Sequence, residues 1–169
     1  SPDTEDGHIH ETILLQALAH AGIAFEYLAD QREVVRVAAA NDLGPRLGML
    51  LGRDVLAEML PVDYEEEGIR VRGYVGKPGL SRSSRREQRI FVNGRPASAE
   101  TVFFALKEAY TNLVLRERFA PVVLYLELEP EQVDVNVHPA KREVRFREAR
   151  RVGQVVTAAV GRALRGMVT

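Results

Sequence analysis

The residues with the clearest chemical potential lie in one segment that runs from Val133 to Phe146. Valines and polar residues alternate from Val133 to His138, as a strand with one buried face requires. Pro139 removes a backbone donor and ends this pattern, so we predict Lys141 on a turn just after a strand end. A lysine held there has little side-chain entropy left to lose when it contacts a phosphate. The pattern alone, however, favours a solvated surface lysine on a hairpin.

A second candidate site is a run of arginines before and after a predicted strand. Between residues 81 and 95 a single acidic residue, Glu87, opposes five arginines. Arginines that alternate with serines suit contacts with a phosphate backbone that carry no base specificity. The loop has no aromatic residue, so base stacking is not expected, and the alternative is a hydrophilic connector without a ligand. The candidate DNA-binding residues are Arg82, Arg85, Arg86, Arg89 and Arg95.

Other catalytic chemistry finds little support in the sequence. Cysteine is absent, which excludes disulfides, thiolate nucleophiles and zinc-cysteine sites. His138 has no second metal ligand at a suitable spacing, so no metal site is predicted. No phosphate-binding glycine motif opens a helix, and no acid pair suits general acid-base work. We therefore expect that this chain does not hydrolyse a nucleotide alone.

Composition indicates an ordinary globular protein. The chain has 169 residues, 46% hydrophobic content and a formal net charge of −1, which suits one domain, or one domain with a piece of another. No apolar run approaches the length of a membrane span, and the acidic N-terminus is unlike a signal peptide. Basic residues also cluster from Lys141 to Arg151. Such a cluster can attract a polyanion, but solvated charge clusters are commoner than binding sites.

Hydrophobic periodicity predicts a mixture of helices and strands. Helices are predicted over residues 9–21, 43–51, 53–60, from 98 onward, and 148–167. Strands are predicted over residues 24–29, 33–39, 62–66, 68–75, 87–93, 122–128 and 133–138. The helix from Ser98 has an apolar stripe that includes Val102, Leu106, Ala109 and Leu113. A strand meander, a long helix, two more strands and a closing helix predict a two-layer α+β domain.

The segment 133–146, with Phe91-Val-Asn-Gly-Arg95 upstream, resembles the signature of the MutL family of DNA mismatch-repair proteins. The similarity extends from about Glu11 to the last helix. It includes Gly73-Tyr-Val-Gly76 and Gly79-Leu-Ser-Arg-Ser-Ser84. The resemblance implies an α/β sandwich with a mixed sheet, like the second domain of ribosomal small-subunit protein five. That fold contains a left-handed β-α-β crossover, which periodicity could not reveal because most crossovers are right-handed.

The resemblance also implies two parts in the chain. Residues 1–38 would be the C-terminal remnant of an ATPase domain, made of one helix and two strands. Residues 39–169 would be the transducer domain that follows it. The chain would then be a fragment, whose unpaired strand edges and apolar faces favour dimerisation or strand exchange.

The same resemblance implies that the preceding ATPase domain belongs to the GHKL superfamily. Lys141 would reach the γ-phosphate of ATP bound in that domain. ATP and Mg²⁺ would be cofactors of the intact protein, and this chain would bind neither stably. Lys141 would then sense the nucleotide and stabilise charge in the transition state, and would be neither a base nor a nucleophile.

The implied partners are the ATPase domain, MutS, downstream repair factors and DNA, which would be bound weakly and without specificity. The intact protein would be a homodimer in the bacterial cytoplasm, associated with the nucleoid during repair and not with a membrane. One alternative is the corresponding domain of a type II topoisomerase. Another is an RNA-binding or ribosome-binding module of the same fold.

Overall fold

A computed structural model describes residues 2–29, 32–39, 42–138 and 141–166. The chain forms two compact units, Ser1–Ala57 and Glu58–Thr169. The division therefore falls after Ala57, whereas the sequence analysis places a domain boundary between residues 38 and 39. The assignment of residues 1–38 to a preceding ATPase domain stays a prediction.

The first unit combines three helices with a two-stranded antiparallel sheet. Its elements are α1 (Pro2–Ala19), β1 (Phe25–Ala29), β2 (Arg32–Val37), α2 (Leu43–Leu51) and α3 (Arg53–Ala57). All five were predicted, but α1 begins at Pro2 instead of residue 9 and ends at Ala19 instead of residue 21. The predicted helix over residues 53–60 is too long. It ends at Ala57 because Met59 already pairs with Gly76 at the start of the next strand.

Arg46 of α2 occupies the interior of this first unit and is fully buried. Its guanidinium donates to the carbonyl oxygens of Ala17 at 3.1 Å, Ala21 at 2.8 Å and Ala38 at 2.7 Å. It also donates to the carbonyl of Ile23. Burial lowers the pKa of Arg46 from its ordinary value, because the charged form loses hydration. One cation therefore joins the end of α1, the approach to β1, the end of β2 and α2.

The second unit is built on a five-stranded sheet with the order β3-β4-β7-β5-β6. Its strands are β3 (Met59–Glu66), β4 (Ile69–Gly76), β5 (Gln88–Val92), β6 (Arg95–Ala97) and β7 (Val122–Glu127). Helix α4 (Glu100–Ala109) connects β6 to β7. Neighbouring strands are antiparallel except β5 and β7, which are parallel. The sheet is therefore mixed, as predicted, and its parallel pair is joined through a helix.

Two further strands and a long helix complete the second unit. They are β8 (Val133–His138), β9 (Lys141–Phe146) and α5 (Ala149–Gly166), with a short 3₁₀ helix, Pro130–Gln132, before β8. Helices α4 and α5 cover one face of the sheet, where their apolar residues share a core with alternate strand residues such as Ile90 and Leu124. On the opposite face Phe91 stacks on Tyr125, with ring centroids 4.7 Å apart. This layered arrangement confirms the predicted α+β class.

Three local predictions were wrong. Strand β6 was not predicted, because its sequence, Arg-Pro-Ala, carries no alternation. Helix α4 ends at Ala109, and Leu113 is 47% exposed instead of continuing the inner stripe. The chain turns at Asn112, whose positive φ of 67° ends any helical path. Val135 is 59% exposed, so the apolar face predicted for its strand is not covered there.

Candidate functional site

Lys141 lies at one end of an antiparallel hairpin formed by β8 and β9. The register runs from the pair Val133 and Phe146 to the pair His138 and Lys141, so Lys141 is the first residue of β9. Strand β8 extends to His138, the last residue described before positions 139 and 140. The prediction that Lys141 lies on a turn was wrong, because its backbone pairs with that of His138. The side chains of residues 136–142 lie outside the described part of the structure, as do residues 139 and 140. The expectations for the side chains of His138 and Lys141 therefore stay predictions.

The opposite end of the hairpin is fixed to the second unit. Val144 and Phe146 are buried in the core, and Val133 packs against it. The backbone amide of Val144 donates to the carbonyl of Ser98 at 2.9 Å, next to a parallel bridge between Ser98 and Glu143. Lys141 is three residues from Val144, which is about 10 Å along an extended strand. The backbone at Lys141 is therefore positioned by a strand whose base is rigidly held.

The arginine-containing loop is more than a hydrophilic connector. The backbone groups of Arg82 and Phe119 exchange two hydrogen bonds of 2.8 Å. The Arg82 guanidinium donates to Glu87 at 2.7 Å, and Arg118 donates to the hydroxyl and carbonyl of Ser81 at 3.1 and 2.9 Å. The Arg82 charge is thus already paired within the chain, so Arg82 is a weaker candidate for binding phosphate.

Arg85 is supported by aromatic residues that come from outside the loop. Its guanidinium lies 5.5 Å from the ring centroid of Phe103 in α4 and 5.4 Å from that of Phe119. Both rings are half-buried. The sequence analysis found no aromatic residue within the loop, which is correct, but the fold brings two rings to it. Such cation-π contacts orient the guanidinium while leaving it exposed.

The other three arginines lie before, within and after β5. Arg86 is exposed before the strand, Arg89 lies within it and is half-buried, and Arg95 is exposed after it. Strand β5 has five residues, a length of about 17 Å. Arg86 and Arg95 therefore lie beyond opposite ends of β5, and Arg89 lies between them in sequence.

The Asn93-Gly94 turn places Arg95, and its sequence has a structural explanation. Both residues have positive φ, 49° and 84°, as the tight hairpin turn between β5 and β6 requires. The Asn93 side-chain oxygen accepts a hydrogen bond from the backbone amide of Leu128 at 3.0 Å. The backbone amide of Asn93 donates to the Leu126 carbonyl at 2.8 Å. Asparagine therefore suits this position for two reasons, its tolerance of a positive φ and the hydrogen bond of its side chain.

Among the residues that the structure describes, no group of three His, Cys, Asp or Glu side chains could hold a metal ion. In the same part of the chain, no helix is both long enough and apolar enough to cross a bilayer.

The phenol of Tyr110 donates to the Gly76 carbonyl at the start of the arginine-containing loop. The burial of this phenol raises the pKa of Tyr110 above its ordinary value.

Comparisons of sequence relate the chain to mismatch-repair proteins. A model of the DNA mismatch repair protein C-terminal domain matches residues 47–165. The DNA mismatch repair protein MutL of Symbiobacterium thermophilum is 40% identical over 161 residues, which are 95% of this chain and 25% of that protein. MutL of Desulforudis audaxviator is 44% identical over 160 residues, 95% of this chain and 28% of that protein. The chain thus spans about a quarter of the length of these relatives.

Solved structures share the fold at lower sequence identity. The N-terminal domain of a DNA repair protein superposes with a TM-score of 0.74 at 23% identity, over 92% of this chain and 52% of that one. The Aquifex aeolicus MutL ATPase domain complexed with ADP gives 0.59 at 20% identity, over 91% and 48%. The B-subunit of DNA gyrase from Myxococcus xanthus gives 0.53 at 10% identity, over 94% and 50%. The similarity to gyrase concerns the fold alone.

Proposed function

Because the chain belongs to the MutL family of DNA mismatch-repair proteins, we propose that it acts as the transducer part of a MutL ATPase. In this role Lys141 reaches the γ-phosphate of ATP held by the preceding ATPase domain. The observation that supports this proposal best is the position of Lys141 at the first residue of β9, a strand whose other end is fixed in the core. Such a strand fixes the backbone position from which the lysine side chain extends.

The proposed contact explains how nucleotide state could change domain orientation. A charge-assisted hydrogen bond between an ammonium and a phosphate is worth about 1.5–3 kcal/mol. The contact exists while the γ-phosphate is present and weakens when it leaves. A ligand with different affinities for two domain orientations shifts the population between them by that difference. Lys141 would therefore act by electrostatics, and proton transfer and nucleophilic attack are not assigned to it.

Mg²⁺ would be held elsewhere in the intact protein. The described residues of this chain provide no cluster of metal ligands, and Mg·ATP held by the preceding ATPase domain would supply the phosphoryl group that is transferred to water. The contribution to ATP hydrolysis proposed for this chain is limited to Lys141.

The remaining proposals concern partners of the intact protein. Arg85, Arg86 and Arg95, exposed on the second unit, would contact the DNA backbone without reading its sequence. Arg89 would add to this surface, and Arg82 would contribute less because it is paired with Glu87. By family membership we further propose that the intact homodimer receives a mismatch signal from MutS in the bacterial cytoplasm and passes it to downstream repair factors.

The substitution Lys141→Ala in the full-length protein tests the nucleotide proposal. Loss of a contact worth about 1.5–3 kcal/mol in the transition state should slow single-turnover ATP hydrolysis by roughly 10- to 150-fold. Lys107→Ala is the matched control, because Lys107 is an exposed lysine on α4. Thermal unfolding of both variants should equal that of the unaltered protein. Unchanged single-turnover hydrolysis in a folded Lys141→Ala protein would refute the proposal.

A further inference from the structure

Helices α4 and α5 leave an open groove between them on the side away from the sheet. The groove has a volume of about 840 Å³ and a mostly apolar lining. The two helices lie side by side and run in the same direction. Thr101 lies opposite Gly153, where an added Cβ would be 3.5 Å from the Thr101 methyl group. One turn further, the Thr157 hydroxyl donates to the Ala105 carbonyl at 3.4 Å.

One wall of this groove carries a large aromatic residue and the other wall carries small ones. Phe104 of α4 is 67% exposed, although it lies on a helix that is otherwise well packed against the core. At the same height along α5, the lining residues are Gly153, Thr157 and Ala158. The surface therefore has a protruding ring on α4 and a shallow depression on α5.

The charges around the groove are separated by sign. Glu100 and Glu108 lie on the α4 side, and Arg150 and Arg165 lie on the α5 side. All four are exposed. Arg165 folds back along its helix, so that its guanidinium lies 3.1 Å from the position of a Cβ on Gly161. This brings the Arg165 charge to the height of Glu108 on the neighbouring helix.

We infer that this groove is a self-association surface, occupied by α4 and α5 of a second copy of the chain. A two-fold axis parallel to the helices would place α4 of each copy over α5 of the other. Each Glu100 would then face Arg150 of the second copy, and each Glu108 would face Arg165. Each Phe104 ring would enter the depression at Gly153 and Thr157.

The charge pattern selects this arrangement over its main competitor. A two-fold axis perpendicular to the helices would place α4 over α4, so that Glu100 of one copy would face Glu108 of the other. Like charges brought together across an interface disfavour association. A two-fold interface must be complementary to itself, and this surface meets that condition in both shape and charge. A foreign helix would need its own matching pattern, whereas a second copy already has it.

The resulting interface is small, because only one face of two helices takes part. We therefore place the association at the weak end of specific protein contacts. It does not depend on the role proposed for Lys141, so the two proposals can fail independently. Its physical content is that Glu108 of one copy meets Arg165 of the other.

Variants with a reversed charge at Glu108 or Arg165, measured alone and then as a mixture, test the proposed contact between two copies. Sedimentation equilibrium of the 169-residue chain should show a reversible dimer, and Glu108→Arg or Arg165→Glu alone should raise the dimer Kd by about tenfold or more. An equimolar mixture of the two variants should form a heterodimer, because both contacts between the copies regain opposite charges. Its Kd should return to within about threefold of the value for the unaltered chain. Phe104→Ala should also weaken the dimer, and Glu131→Arg, a reversal away from the groove, should not.

The mixing step separates this surface from any other. Charge repulsion within each variant chain is the same in the mixture as in isolation, so only contacts between chains can be restored. If each variant associates as tightly as the unaltered chain, or if mixing restores nothing, the chains meet through another surface and the inference is wrong. An unaltered chain that stays monomeric up to about 1 mM, beyond the range of weak specific contacts, would also overturn it.

Discussion

Replacing the buried Arg46 should open the first unit while leaving the second unit intact. The guanidinium donates to four backbone carbonyl oxygens, and methionine, of similar length, donates to none. The bond to Ala17 is fully buried, whereas the other three are partly buried. Water can therefore reach some of the abandoned carbonyls but not that of Ala17, which would keep an unsatisfied acceptor.

The magnitude follows from these four contacts. Losing the donor to a buried carbonyl costs about 1–3 kcal/mol, and a partly hydrated carbonyl costs less, near 0.5–1 kcal/mol each. Part of this cost is recovered because the guanidinium no longer has to be desolvated. The expected net loss for Arg46→Met is about 3 kcal/mol. Arg46→Lys should lose less, because an ammonium keeps the charge but has three donors in a different geometry.

Hydrogen exchange measured by mass spectrometry is the appropriate assay, because it reports each unit separately. A loss of about 3 kcal/mol corresponds to roughly 100-fold faster exchange for protected amides of α1, β1 and α2. Protected amides of β4 and β7 in the second unit serve as the internal control. If exchange in the first unit of Arg46→Met changed by less than about threefold, the carbonyl contacts would contribute little net stability, and the reasoning from unsatisfied acceptors would be refuted.

Two further substitutions test the second unit. Gly73 in β4 has a φ of 133°, and an added Cβ would lie only 2.0 Å from a backbone oxygen of β7. Gly73→Ala should therefore cost at least about 4 kcal/mol in urea unfolding, from backbone strain and strand separation together, whereas Gly79→Ala, with open space around it, should be nearly neutral. For DNA, Arg86→Ala combined with Arg95→Ala in the full-length protein should lower the slope of log K against log salt by about 1–2. An unchanged slope would exclude both residues from phosphate contact.

Local sequence pattern predicted the elements that are determined by residues close together in the sequence. Helix α2 begins and ends at the predicted residues, and the Asn93-Gly94 turn lies where the dipeptide indicated. Helix α5 begins one residue after its predicted start, and its predicted end at residue 167 lies outside the described residues. In these cases periodicity and turn chemistry act within a few residues, so no long-range contact is needed to recognise them.

Features set by distant contacts were not predicted. Arg46 gives no signal in sequence, because a lone arginine in a helix is usually solvated and its partners lie 8 to 29 residues away. Strand β6 is fixed by pairing with β5 and not by its own residues. The aromatic support of Arg85 comes from Phe103 and Phe119, which no local pattern connects to the loop. For the candidate site, sequence therefore predicted residues but not how the fold supports or pairs them.

The hairpin that carries Lys141 is connected directly to the helix that forms one wall of the groove. Strand β9 ends at Phe146 in the core, and α5 begins at Ala149, only three residues later. A two-residue turn connects this buried end of β9 to the start of α5. Val144, hydrogen-bonded to Ser98 just before α4, connects the same strand to the other wall. If Lys141 contacts a γ-phosphate as proposed, the strand that carries it is attached to the start of both helices of the self-association surface.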